Sequence, residues 1–90
     1  MYRLRECTIF RIPNEVGHYR LGITLKAKGS SVERNRVKRQ IRESFRIQAD
    51  VLGSFDYNVV IAAQKKLGRP YPERLGQCIK SDLSNVLKRA

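Results

Sequence analysis

The chain is predicted to fold as one small α/β domain with the element order β-β-α-β-α, and three kinds of sequence pattern carry that prediction. Apolar and polar residues alternate strictly from Tyr19 to Ala27, as they do in a strand with one buried face. Tyr57-Asn58-Val59-Val60-Ile61-Ala62-Ala63 is a β-branched run with little alternation, which predicts a strand near the middle of a sheet, buried on both faces. Apolar residues recur at helical spacing in two places: Val37, Ile41, Phe45 and Leu52, and then Leu75, Ile79, Leu83, Val86 and Leu87.

Turn signals divide these elements cleanly. Residues Arg3 to Ile12 suit a first strand, Pro13-Asn14-Glu15-Val16-Gly17 reads as a turn, and the first two strands are expected to pair as an antiparallel hairpin. Tyr19, Leu21, Ile23 and Leu25 share one face of the second strand, so Arg20, Thr24, Lys26 and Lys28 share the other. Gly29-Ser30-Ser31 breaks the strand, and Ser30 or Ser31 can cap a helix running to about Leu52, where Gly53 stops it. Residues Lys65 to Pro70 form a loop, and Pro72 suits the first turn of a last helix with Lys88 and Arg89 near its negative end.

Composition restricts what such a domain can do. Ninety residues bury only about 60–65% of their extended surface, which argues against a deep, enclosed small-molecule site. Nineteen Lys and Arg against eight Asp and Glu leave a net charge of +11, an imbalance that solubility does not require and that a polyanion would neutralise. Cys7 and Cys78 match no metal-ligand spacing and read as buried, reduced thiols. His18, the one histidine, sits beside Gly17 in a turn with no nucleophile or carboxylate to complete a catalytic constellation. No apolar run is long enough to span a bilayer and no secretory signal follows Met1, so a cytoplasmic location without a membrane partner is expected.

The charge concentrates between Arg34 and Arg46, where six cations are threaded through the apolar repeat. At helical spacing Arg39, Arg42 and Arg46 gather on one side and Arg36 on another, away from Val37, Ile41 and Phe45, which are assigned to the core. One helix thereby buries a stripe and presents a charged rail to phosphates.

Residues Tyr19 to Arg46, reading YRLGITLKAKGSSVERNRVKRQIRESFR, resemble the signature region of the bacterial ribonuclease P protein subunit. The Arg-Leu-Gly-Ile-Thr strand, the Gly-containing turn, Arg34-Asn35-Arg36, Lys38-Arg39 and Arg42-Glu43-Ser44-Phe45-Arg46 stand in that family's order, and Asp56 to Ala62 and the closing helix are similar in kind. The resemblance implies a two-layer α+β fold of the ribosomal-protein-S5-domain-2-like type. In it a small mixed sheet is crossed by the basic helix through a left-handed β-α-β connection, against the usual right-handed preference. It also implies two partners, the ribonuclease P RNA and precursor tRNA, with Mg2+ held by the RNA and no ligand set on the protein. The RNA cleaves off the 5′ leader, and the protein assists without itself catalysing.

Carried over residue by residue, the resemblance gives RNA-binding roles to Arg34, Asn35, Arg36, Lys38, Arg39, Arg42 and Arg46 on the helix. Lys26 and Lys28 follow as general phosphate contacts. Asn35 has two readings, a local helix cap or a direct RNA contact. The leader is expected along a cleft between the open sheet face and this helix, with Phe10 as the strand aromatic beside Arg20 and Thr24; packing beneath a helix is the competing reading for Phe10. Lys65, Lys66, Lys80, Lys88 and Arg89 read as solvated surface, which is also the default reading for Arg46 beside its RNA-binding one.

The sequence departs from the family pattern in two places. Relatives carry a further helix with an aromatic-rich face before the first strand, whereas Met1 here stands almost at the strand. The expectation is a short form whose uncovered apolar face promotes self-association or strand exchange in the free protein. Lys26-Ala27-Lys28 replaces a Ser-Lys-Lys-like run, with a shorter turn after it. A stand-alone or ribosome-associated RNA-binding protein reusing the fold is the alternative. A major-groove DNA reader is disfavoured, because no helix-turn-helix precedes the basic helix.

Overall fold

The computed structural model describes residues 1–89 and the side chains of residues 1–88, so the surface role expected of Arg89 lies outside the described side chains. Its elements are β1 (Tyr2–Arg3), β2 (Thr8–Pro13), β3 (Arg20–Leu25), α1 (Ser31–Arg46), α2 (Ala49–Leu52), β4 (Phe55–Ile61) and α3 (Tyr71–Arg89). The four strands form one mixed sheet in the order β1-β2-β4-β3, antiparallel except for the parallel pair β3–β4. The β3-α1-β4 crossover through the basic helix is therefore present.

The expected hairpin is not. β4 lies between β2 and β3, because the loop joining those strands is stitched to the start of β4. Asn14 N donates to Ser54 O at 3.0 Å, Gly17 N donates to Ser54 Oγ at 3.0 Å, and Asn14 Nδ2 donates to Asp56 Oδ1 at 2.8 Å. Gly17 takes a φ of +92°, a left-handed turn that a side chain would strain. The loop holds the two strand ends on either side of β4, and His18 sits in it, exposed.

Two boundaries and one burial pattern also differ from the sequence reading. The first strand breaks in two where Leu4 N turns back to Cys7 O at 2.8 Å, so β1 pairs with β2 as a short ribbon. The predicted long helix ends at Arg46, and a separate turn of helix, α2, reaches Gly53, whose φ of +66° stops it. β4 is central as predicted but covered on one face only: Tyr57, Val59 and Ile61 are buried, while Asp56, Asn58 and Val60 are half-buried on the other.

Both long helices pack on that covered face. Val37, Ile41 and Phe45 of α1 and Leu75, Ile79 and Leu83 of α3 join Ile9, Val59 and Ile61 in a single core. Two aromatic contacts hold α1 against the sheet, Phe45 edge-on to Tyr57 at 5.4 Å and Phe45 tilted against Tyr19 at 6.2 Å between ring centroids. The helices approach closely at Gly76, where a Cβ would lie 2.5 Å from Gln40 Oε1. Ser44 Oγ, buried there, sits 2.6 Å from Gln40 O and 3.2 Å from Gly76 O. Among the described residues no helix is long and apolar enough to cross a membrane.

Ser30, one of the two predicted caps, is the N-cap of α1. Glu33 N donates to Ser30 Oγ at 3.1 Å and Ser30 N donates to Glu33 Oε1 at 3.0 Å, a reciprocal capping box. Ser30→Ala is expected to destabilise the domain by about 1 kcal/mol, measured as a shift in the denaturation midpoint with an unchanged slope. Both cysteines are buried and free. Burial, with Cys78 and Glu6 nearby, pushes the Cys7 thiol up to about 12, and burial raises Cys78 as well. Neither thiol should react with a disulfide reagent at pH 8 in the folded protein, and both should react once denaturant is added.

Candidate nucleic-acid interface

Capping at its first turn and burial of Val37, Ile41 and Phe45 determine which way α1 turns its cations. Asn35, Arg39, Arg42 and Arg46 lie exposed on its outer side, with Lys38 and Arg36 half-buried on the flanks. Arg36 is on the α3 side, within electrostatic range of Glu73. Val32, Asn35, Arg36 and Arg39 border a shallow hollow of about 250 Å³. Arg39 and Arg42 have no carboxylate partner among the described residues, whereas Arg46 is ion-paired with Glu43 one turn back.

Two of the predicted residues on the helix need a revised description. Arg34 donates from Nη1 to Ala27 O at 2.8 Å, tying the helix to the connector from β3 with part of a guanidinium expected on phosphate alone. Asn35 is not a cap, because Ser30 and Glu33 fill that role; its amide is exposed and takes part in no hydrogen bond among the described residues.

The second surface is the face of the sheet turned away from the helices. Register and alternation set three rows across it: Ile12, Asp56 and Arg20; Phe10, Asn58 and Gly22; Thr8, Val60 and Thr24. Phe10 is 43% exposed and lies opposite Asn58, so it does not pack beneath a helix. Phe10, Arg20 and Thr24 do share this face as predicted, brought together through β4 rather than through a hairpin. Thr24 Oγ1 and Asn58 Nδ2 are hydrogen-bonded at 3.0 Å. Gly22 keeps the middle row low, since a Cβ there would stand 3.3 Å from Asn58 Oδ1.

Arg20 is not a free cation on this face. Its Nε and Nη2 donate to the two oxygens of Asp56 at 2.7 and 2.8 Å, and those bonds, with one from Asn14, hold the Asp56 carboxyl below its ordinary range. Asp56 therefore stays ionised and offsets the Arg20 charge. The sequence reading assigned no role to Asp56, Asn58, Ile12 or Val60, which lie on this face. Their placement depends on a register that only the β4 insertion supplies.

Because α1 lies on the covered face, its rail and the open face do not confront each other across a cleft, as the resemblance implied. Among the described residues they are related around β3, which is the sheet edge and is preceded by Tyr19, whose ring meets Phe45 of α1. Lys26 continues the open face beyond Thr24, and Lys28 is exposed in the connector that leads into α1.

No group of three or more His, Cys, Asp or Glu that could hold a metal ion occurs among the described residues. The carboxylates near the two surfaces are already engaged, Asp56 by Arg20, Glu43 by Arg46 and Glu33 by the helix cap. That donor set does not fit a magnesium ion, which needs near-octahedral oxygen ligands.

Known proteins resemble this chain in sequence and in fold. Residues 2–90 match the family model described as Ribonuclease P. The ribonuclease P protein component of Idiomarina loihiensis is 48% identical over 59 residues, 63% of this chain and 46% of that protein. That of Marinobacter nauticus is 34% identical over 88 residues, 94% of this chain and 61% of the relative. The ribonuclease P protein of Thermotoga maritima superposes with a TM-score of 0.72 at 27% identity, covering 99% of this chain and 81% of that structure. The matched region spans about half the length of the curated relatives. With a family match from residue 2 to residue 90 and the same fold in a solved relative, the chain belongs to the Ribonuclease P family.

Proposed function

We propose that this chain acts as the protein component of bacterial ribonuclease P, working in the cytoplasm on precursor tRNA. It binds the ribonuclease P RNA through the outer side of α1 and receives the 5′ leader along the open sheet face. The RNA, with its own magnesium, hydrolyses the phosphodiester, and the protein contributes binding and orientation.

The observation that carries this reading is the composition of the α1 rail. Asn35, Arg39 and Arg42 are exposed side by side on a capped, anchored helix, and among the described residues the two arginines have no carboxylate to neutralise them. A rigid helix holding planar guanidinium forks suits RNA phosphates. On the sheet, Phe10 offers a ring for one stacked base, with Asn58 and Thr24 as hydrogen-bonding neighbours. The Arg20–Asp56 pair leaves that corner nearly neutral, so the face suits unpaired bases better than a second line of phosphates.

The test is cleavage of a precursor tRNA by a bacterial ribonuclease P RNA at low magnesium, with and without the protein, using long-leader and leaderless substrates. Stimulation greater for the long leader is expected, and Phe10→Ala should remove about 1–3 kcal/mol of leader-dependent binding while leaving the protein folded. Stimulation indifferent to the leader would confine the protein to its RNA-subunit contacts. No stimulation would overturn the reading.

A further inference from the structure

A second concentration of positive charge lies at the end of the open face, away from the outer side of α1. At the carboxyl ends of β3 and β4, Lys26 and Lys28 from the β3–α1 connector meet Lys65 and Lys66 from the β4–α3 loop around an open hollow of about 550 Å³. The two lysine pairs come from segments nearly forty positions apart in sequence. The β3-α1-β4 crossover brings them to one place.

We infer that this hollow is a second RNA-phosphate site, with Lys28 and Lys66 gripping the backbone between Lys26 and Lys65; the inference rests on the reading of the chain as an RNA-binding subunit. Three features of the hollow specify its ligand. It sits outside the carboxyl ends of the parallel strand pair, where the connectors that leave β3 and β4 run side by side. Glu33 is the one carboxylate on its wall, and that group is held by Ser30 N in the capping box, so four ammonium groups face one committed anion. No aromatic ring borders it. A site with cations and no stacking surface holds phosphates without reading bases.

The lysines are also not equivalent. Lys65 is half-buried, 3.5 Å from Glu6 Oε1 and 5.9 Å from the Tyr71 ring centroid, which fixes it as a wall. Lys28 and Lys66 are exposed and have no carboxylate partner among the described residues, which leaves both free to take a phosphate oxygen. Glu33, on the hollow's wall, and Val32, beside Asn35 and Arg39, are consecutive residues of α1. One RNA strand can thus pass from the hollow onto the rail.

The phosphates could belong to the ribonuclease P RNA or to precursor tRNA, and the experiment separates them. Binding of each RNA is measured against salt concentration for the full chain, Lys28→Ala/Lys66→Ala, Arg39→Ala/Arg42→Ala and the surface control Lys80→Ala/Lys88→Ala. The lysine pair in the hollow should lower the salt slope by about 1.4–1.8, two contacts at about 0.7–0.9 each, on whichever RNA occupies the site. The control should lower it for neither. A full slope for the Lys28/Lys66 variant on both RNAs, with a reduced slope for the arginine variant, would overturn this site and leave the proposed function standing. An equal reduction from the control would reduce the hollow to part of the general field and overturn it too. Unchanged slopes for every variant would refute RNA binding by the rail and the hollow together.

Discussion

Phe45→Ala is expected to remove a large part of the domain's stability. Phe45 is fully buried, and its ring meets Tyr57 on the central strand and Tyr19 just before the edge strand. Truncating a buried phenylalanine costs about 3–5 kcal/mol, from lost transfer energy and from a cavity that rigid neighbours do not fill. A domain this small has roughly 5–10 kcal/mol in total, and its charge of +11 reduces the working margin further. Circular dichroism should show a cooperative transition shifted far to lower denaturant. A variant that folds with a normal midpoint and loses only RNA binding would place the ring on the functional surface instead.

The same residue shows why much of this structure was legible beforehand. Core positions on α1 follow from a 3.6-residue period, and that period alone separated Val37, Ile41 and Phe45 from Arg39, Arg42 and Arg46. Capping was equally local, since Ser30 and Glu33 form their box within one turn. Strand pairing was not local. The turn residues from Pro13 to Gly17 fit a hairpin, and nothing within either strand reveals that Ser54 and Asp56, some forty residues on, capture that loop. The open face suffered the same way: Phe10, Arg20 and Thr24 were assigned to it by alternation, but their true neighbours Asp56 and Asn58 arrive only with β4. Arg34 illustrates a third limit. A cation in a basic run reads as a phosphate contact, and the carbonyl of Ala27 that claims part of it is a backbone group with no sequence signature.

Arg39→Ala/Arg42→Ala should abolish most RNA binding while leaving the fold intact, and it isolates the rail more cleanly than any change at Arg34. Both side chains are exposed and neither is engaged by a carboxylate, so alanine removes charge without opening a cavity or orphaning a partner. Each charge-assisted contact is worth about 1.5 kcal/mol, roughly tenfold, so the pair should weaken binding on the order of 100-fold at low salt. The loss should shrink as salt rises, because the parent protein gives up its counterion-release advantage faster than the variant does. Arg34→Ala would behave differently, lowering the denaturation midpoint as well, since the β3–α1 connector loses its hydrogen bond at Ala27. Unfolding curves and salt-dependent titrations on the two variants therefore separate a residue that builds the interface from residues that form it. Equal affinity of the Arg39/Arg42 variant and the parent across the salt range would mean that RNA approaches the domain elsewhere, and the open sheet face and the lysine hollow would then have to hold it.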